Sequence, residues 1–438
     1  MTHEITPAAV AKFQQKMAHI PGSAALQRAV MNNGIKATSQ DPTAASRLNR
    51  TFSVELDTGK VSNQKKSGRC WLFSTLNTLR HDFAKAYNVK DFELSQNYLS
   101  FWDRFEKANA FYEHIIETAD LPADHRLVAW LLAAPDTDGG QFHNAAALVA
   151  KYGLVPKDVM PETFNSENTN DFSEVLNLKL RKDAIVLRKL ANSSASDQGI
   201  ADQKRQFLAE VYRICSYAFG TPPESFDFVY RDDAKKYHRD PDLTPQAFAK
   251  KYFKRNLADY VVVTNAPNKP YNQLFTLPME NNVIGGPDVA FFNVDLATMK
   301  AATLKQLQAG DSIWFGNDVL QQMNRQAGLL DSKLYRQAEL FGIDLSLSKA
   351  DRLTYGEGAV SHAMTLTGVD LVNEQPTKWK VENSWGEKNG EQGYFVMSDE
   401  WYDDFVYECV IDRKYLEPAQ IQALTTQPTV ITPWDSLA

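Results

Sequence analysis

A chain of 438 residues, 43% hydrophobic and 23% charged, is too long for one simple core and ordinary enough to form two or three packed globular units. Its formal charge of -7 gives no general attraction to nucleic acid, and no run of about 18 apolar residues is present to span a bilayer. Three cysteines, odd in number and far apart, exclude a disulfide framework, so a cytoplasmic enzyme or binding protein is expected.

In chain order, "MTHEITPAAVAKFQQKMAHI" lacks a signal-peptide core and reads as an amphipathic helix, opening an N-terminal helical and extended arm over residues 1–60. The stretch "SGRCWLFS" begins the next helix: Leu72, Leu76, Leu79 and Phe83 fall at helical spacing, with Ser67 and Gly68 as turn and cap. Further helices are predicted at "LSQNYLSFWDRFEKANAFYEHI" and, after a glycine loop, in "DTDGGQFHNAAALVAKYGLVP", giving a helical unit over 61–169. Residues 170–257 read as a highly charged helical block, broken at "FGTPPESFDFVYRDD" by a turn and a short extended piece. From 258 to 416 the runs "YVVVTNAP", "DSIWFGND", "HAMTLTGVDLV", "KWKVENSWG" and "GYFVMSDEWY" are short, β-rich and bounded by Gly, Asn and Asp. Residues 417–438 close with "QPTVITPWDSLA", an extended tail. Helices first and strands later predict an α+β protein.

Cys70 stands where its helix starts, and the partial positive charge of a helix N-terminus favours a thiolate. Strong activation also needs an imidazole. His362 in "GAVSHAMTLTGVD" opens a β run between the small Ser361 and Ala363, which let another segment approach. His143 in "GGQFHNA" competes for that role, and His81 lies too far along the Cys70 helix. In "VENSWGEKNGEQGYFVM" the amide oxygen of Asn383 can accept from the far imidazole nitrogen and fix its tautomer, under cover of Trp385. Gln64, six residues before Cys70, offers a side-chain amide to an oxyanion alongside the Cys70 N–H. Cys215 and Cys409 sit in apolar runs and read as core. No His, Cys and carboxylate cluster has ligand spacing, so neither metal nor cofactor is expected. The basic runs "KKYH" and "KKYFKR" read as a solvated helix face rather than a contact for nucleic acid or a subunit.

Gln64, Cys70-Trp71, Gly139-Gly140, His362 and Asn383-Ser384-Trp385-Gly386 occur in the order of the papain-like cysteine peptidases. The separation of Cys70 from His362 exceeds the usual ~130–150 residues. With "GRCWLFS" and a tail containing "PWD", the chain resembles the bleomycin hydrolase and aminopeptidase C branch over nearly its whole length. That resemblance implies a papain-like fold, with Cys70 in a helical half and His362 and Asn383 in a β-barrel half. It places a large helical insertion, a candidate oligomerisation region, at 170–257 and a C-terminal tail in the active-site cleft. It implies a cytoplasmic cysteine aminopeptidase acting on oligopeptides through a thioester, assembled as a homohexamer with its sites facing an inner cavity. Gly139 and Gly140 match the segment whose backbone pairs with an extended substrate, where a side chain would block approach.

In that branch the terminal carboxylate, here on Ala438, holds the substrate's α-amine. The usual ending is Trp-Asp-Pro-Met-Gly-Ala-Leu-Ala. Here Trp434-Asp435-Ser436-Leu437-Ala438 is shorter by three residues, which at ~3.3 Å per extended residue draws the carboxylate back by up to about 10 Å. Relaxed exopeptidase behaviour, or endopeptidase cleavage of short peptides, is then expected. Acyl transfer to an amine uses the same residues. A non-catalytic peptide- or nucleic-acid-binding protein on this fold would lack the nucleophile or the base, and both are present.

Overall fold

A computed structural model describes residues 3–437. The apolar stripe Leu72, Leu76, Leu79 and Phe83 is buried along the helix Cys70–Tyr87, which packs against the helices Gln96–Glu117 and Phe142–Tyr152 on one side and the strand His362–Val372 on the other. Its N-cap is Arg69, with no side-chain cap, rather than Ser67 or Gly68. The Arg69 guanidinium instead pairs with Glu162 at 2.9 Å, so a charged residue is spent on holding the nucleophile loop.

The charged helices Asn170–Ala191 and Asp197–Phe219 lie against Gln96–Glu117. Their Leu176, Leu180, Leu187, Val211 and Cys215 join the same core as Leu72 and Leu76. The extended piece Phe226–Arg231 is half of a hairpin with Tyr237–Leu243, a partner drawn from a stretch expected to be helical. Mixed charges hide the alternation of that second strand, whose residues are all at least partly exposed. Arg255, at the end of the basic run, is not on a solvated face: its Nε donates to Asp82 at 2.6 Å, and Phe253 beside it packs on Phe83.

Among the described residues twelve strands form one sheet. Its middle runs Tyr260–Thr264, Val406–Asp412, Ile313–Asn317, His362–Val372, Gln375–Glu382 and Tyr394–Ser398, all neighbours antiparallel. Strand alternation sends Val262, Trp314, Ala363 and Val410 toward the helical half. Val261, Phe315, Met364 and Cys409 go to a second core, with Met299 and Leu307 of the helix Leu296–Gln308 and Trp401 of the helix Asp399–Phe405. The papain-like division into two halves is therefore a division between two cores, and the Cys70 helix lies along the seam.

The tail is not extended throughout. Thr429–Val430 pairs in parallel with Phe275–Thr276, after which the chain turns, Asp435 N donating to Thr432 O at 3.0 Å. Lys269 holds Asp435 at 2.6 Å, and Leu437 is fully buried. Ala438 lies outside the described residues. At the other end, the helices Pro7–Ala18 and Ser23–Asn33 bury no residue. Among the described residues no helix is long and apolar enough to cross a membrane.

Candidate active site

Cys70 is the first residue of its helix and is half-buried. Burial pushes its thiol up, while the nearby backbone N–H groups of Ala363, Trp71 and Cys70 itself favour the anion and pull it down. Ala363 belongs to the strand that starts with His362, so the sulfur lies beside that imidazole's own backbone. His143 sits instead in the first turn of the helix Phe142–Tyr152, its Nδ1 buried without a partner among the described residues. His81 is bound to Ser312 Oγ and to Glu382, each at 2.9 Å.

His362 Nε2–H donates to Asn383 Oδ1 at 3.0 Å, and the same oxygen accepts from the Ser384 N–H at 2.8 Å. Oδ1 is thus fixed from two sides, and so is the tautomer that leaves Nδ1 as the basic nitrogen. The Trp385 ring stacks on the imidazole, centroids 4.8 Å apart, with the Arg325 guanidinium 4.1 Å from the Trp385 centroid. Burial first, opposed by Asn383 and aided by Arg325, pulls His362 down to about 4. Burial therefore disfavours a lone thiolate and a lone imidazolium alike. Moving the proton from Sγ to Nδ1 creates both charges together, and each then neutralises the other.

Gln64 is buried, not a solvated loop residue. Its Nε2 donates to Ser67 O at 2.6 Å, its Oε1 accepts from Ser384 Oγ at 2.6 Å, and its backbone N–H donates to Ser384 O at 2.8 Å. One Nε2 hydrogen is thereby taken and the other is left to donate. Gly386 lets this segment close: it has φ +72°, and a Cβ there would lie 2.5 Å from Asn63 Nδ2.

The two glycines have different reasons to be glycine. A Cβ on Gly140 would strike the Trp71 indole at 2.7 Å, whereas one on Gly139 would meet nothing nearer than 4.0 Å. Only Gly139 faces open space. Lys107 Nζ holds the segment by donating to Thr137 O at 2.8 Å and Gly139 O at 2.5 Å. A cleft of about 350 Å³ runs beside it, bordered by Lys107, Thr137, Glu280 and, from the tail, Pro433.

Asp138 is a residue that sequence reasoning passed over. Its Oδ2 accepts from Gly68 N at 2.7 Å and its backbone oxygen from Trp71 Nε1 at 2.8 Å, tying the glycine segment to the nucleophile loop. The fully buried Arg104 pairs with Asp136 and Asp138. A signal was present: Arg104 and Lys107 interrupt the apolar face of "LSFWDRFEKANAF", where charge is expected only if paired.

The model of the Peptidase C1-like family matches residues 4–438. The chain is 50% identical to Aminopeptidase E of Lactobacillus helveticus and 49% identical to Aminopeptidase G of Lactobacillus delbrueckii subsp. lactis, each match covering 100% of both chains. It superposes on the crystal structure of PepW from Lactobacillus rhamnosis HN001 with a TM-score of 0.99 at 54% identity, covering 100% of this chain and 99% of that one. Likeness of this extent, over both cores and the seam between them, makes this chain a cysteine peptidase of the Peptidase C1-like family.

Proposed function

We propose that the protein is a cytoplasmic aminopeptidase that hydrolyses oligopeptides near their N-terminus through a thioester on Cys70. The observation that supports the mechanism is the 3.0 Å bond from His362 Nε2–H to Asn383, which turns Nδ1 away from the amide and leaves it as the basic nitrogen. Cys70 Sγ attacks the peptide carbonyl carbon, forming a C–S bond. As the C–N bond breaks, the proton held on His362 Nδ1 passes to the leaving amine. Nδ1 then takes a proton from water, whose oxygen displaces the sulfur and releases the acid. Gln64 Nε2 and the Cys70 N–H receive the oxyanion. Gly139 pairs with the extended peptide, with Gly140 packed beneath on Trp71.

The aminopeptidase names of the relatives support cleavage at the N-terminus. A second reading, release of di- and tripeptides or cleavage of short blocked peptides, is favoured by the tail, whose turn at Asp435 and anchor on Lys269 shorten its reach. Chromatography of products from one hexapeptide, with its amine free and acetylated, separates the two. Single residues released only from the free peptide establish the aminopeptidase; di- or tripeptides, or cuts in the acetylated peptide, establish the second reading. Cys70→Ser should abolish all cleavage and all labelling by an alkylating agent, while Cys215→Ala and Cys409→Ala retain both. Turnover surviving in Cys70→Ala would sink the mechanism.

The self-assembly belongs to the same proposal. Val175, Leu178 and Ile185 are exposed on the helix Asn170–Ala191, as are Phe13 and Met17 on the N-terminal arm, which supports burial of both faces against further copies of the chain.

A further inference from the structure

Arg325 lies over the indole that covers His362. Its guanidinium is 4.1 Å from the Trp385 centroid, and that ring stacks on the imidazole at 4.8 Å. The arginine is exposed and has neither an ion pair nor a side-chain hydrogen bond among the described residues. Its neighbour differs: Arg50, which donates to Ala327 O, is paired with Glu391 at 3.0 Å. A guanidinium held over a ring keeps its N–H edge free for an anion. Its charge already reaches the base, since Arg325 is one of the groups that lower His362.

The chain around the half-buried indole is basic. Asn63 bridges to Trp385, and Lys65 follows two residues later; Glu387 and Lys388 come just after Trp385. All three charged residues are exposed, and none has an ion pair among the described residues. With Arg325 that makes three cations against one acid, in a molecule whose net charge is -7. In the reaction above the acyl part of the peptide lies along Gly139, and the leaving amine takes its proton from His362. The leaving part therefore runs out past the imidazole, on the side of Trp385.

Resting on the peptidase reading above, we infer that Arg325 is a specificity-determining residue that receives the terminal carboxylate of the leaving peptide, two residues past the cleaved bond. Two extended residues span about 7 Å, the scale of an indole with a guanidinium seated over it. The planar fork matches a carboxylate through two N–H bonds, and the ring holds the arginine in place beforehand, so little side-chain entropy is lost. Lys65 and Lys388 add attraction at longer range. The preferred substrate is then a peptide that leaves two residues behind. A longer one carries its carboxylate past the arginine and gains nothing from it.

Leucine followed by two, three or five glycines, each peptide as the free acid and as the C-terminal amide, tests this. Chromatography identifies the bond cut and hence the peptide that leaves two residues: the tripeptide if one residue is released, the tetrapeptide if two. For that peptide an exposed ion pair sets the scale, so wild-type kcat/KM should favour acid over amide by about fivefold. The hexapeptide acid should lead its amide by less than about twofold. The short-peptide preference should fall below about twofold in Arg325→Gln and in about 0.5 M salt, and survive in part in Arg325→Lys. Taking the ratio within each variant cancels a change in the His362 base, which acts on acid and amide alike. A preference absent from the wild type, or unchanged in Arg325→Gln, overturns the assignment. So does one equally large for the hexapeptides, which reports the general field of the protein and not one residue. A wild type inert on all six, with Cys70 still open to alkylation, overturns the peptidase reading and this one with it.

Discussion

Ser384 binds the two halves of the candidate machinery to each other. Its N–H steadies the Asn383 oxygen that aims His362, and its hydroxyl holds the Gln64 amide, each through a single hydrogen bond. Ser384→Ala removes only the second contact and leaves the Gln64 amide held by Ser67 O alone, so loosened. Removing an oxyanion donor outright costs about 100- to 1,000-fold in turnover, so loosening one should cost less, about tenfold, in kcat with KM little changed. Alkylation of Cys70, which needs no oxyanion, should keep its wild-type rate and pH profile, and Ser384→Thr should restore most of the turnover. If alkylation slows as much as turnover, Ser384 acts on the imidazole instead. A second residue-scale expectation follows from Glu408, buried in the strand Val406–Asp412 with neither carboxyl oxygen partnered among the described residues. Folded, it keeps its proton up to about 8; unfolded, it releases it near 4.5. Between those values the folded state binds the extra proton, so this residue's contribution to stability falls as pH rises. The Tm of Glu408→Gln, measured against wild type, should therefore climb from pH 5 to pH 8. Parallel curves would mean that the carboxyl already has a counter-charge.

Between elements, the seam between the Cys70 helix and the Asn383 strand is closed by charge. Arg80 and His81 of that helix bind Glu382, the residue before Asn383, in a site where Arg80 and Glu382 are almost wholly buried. Burial alone would raise the Glu382 carboxyl, but Arg80 and His81 outweigh it and hold it at about 2. Because the folded value lies below the ordinary one, this stabilisation is present above about pH 4.5 and is lost as pH falls toward 2. Glu382→Gln leaves Arg80 without a counter-charge and should cost about 3–5 kcal/mol in urea unfolding at neutral pH. Arg80→Met combined with Glu382→Leu should recover most of that loss. A single variant as stable as wild type would show that the pair only rides on the packing around it. The helix itself was legible in the sequence, because Leu72, Leu76, Leu79 and Phe83 repeat at its period, and so was the pairing of His362 with Asn383, each of which sits in a short distinctive motif. The charged ties were not. Arg80, Arg104, Asp138 and Glu382 find partners far along the chain, and Glu408 is unusual only because it has none. One-dimensional spacing records neither fact. The hairpin strand Tyr237–Leu243 was missed for a related reason: it is held by its partner strand, not by an apolar alternation of its own.

For the molecule as a whole, the N-terminal arm leaves an apolar face uncovered. The helix Pro7–Ala18 has 12 residues and buries none of them, yet it displays Val10, Phe13 and Met17 at helical spacing; Phe13 is 60% exposed. A helix so short is marginal in water when nothing packs on it. Met31, 76% exposed on the helix Ser23–Asn33, extends the apolar surface. A second copy of the chain is the cover expected, because the same apolar surface is offered by every copy and closed symmetric assembly hides it. In an assembly whose sites face inward, the entrance rather than the cleft would limit substrate size. Light scattering should then give a mass several times that of one chain, with short peptides cleaved and unfolded whole proteins left largely intact. Phe13→Glu with Met17→Glu puts two like charges on one helix face and should break the assembly. The dissociated variant should keep Cys70 alkylation and peptide cleavage within a few-fold and gain degradation of an unfolded protein such as reduced casein. A wild type that scatters as a single chain would remove the arm's role. An intact assembly that degrades casein as fast as the variant would instead place its sites on the outside.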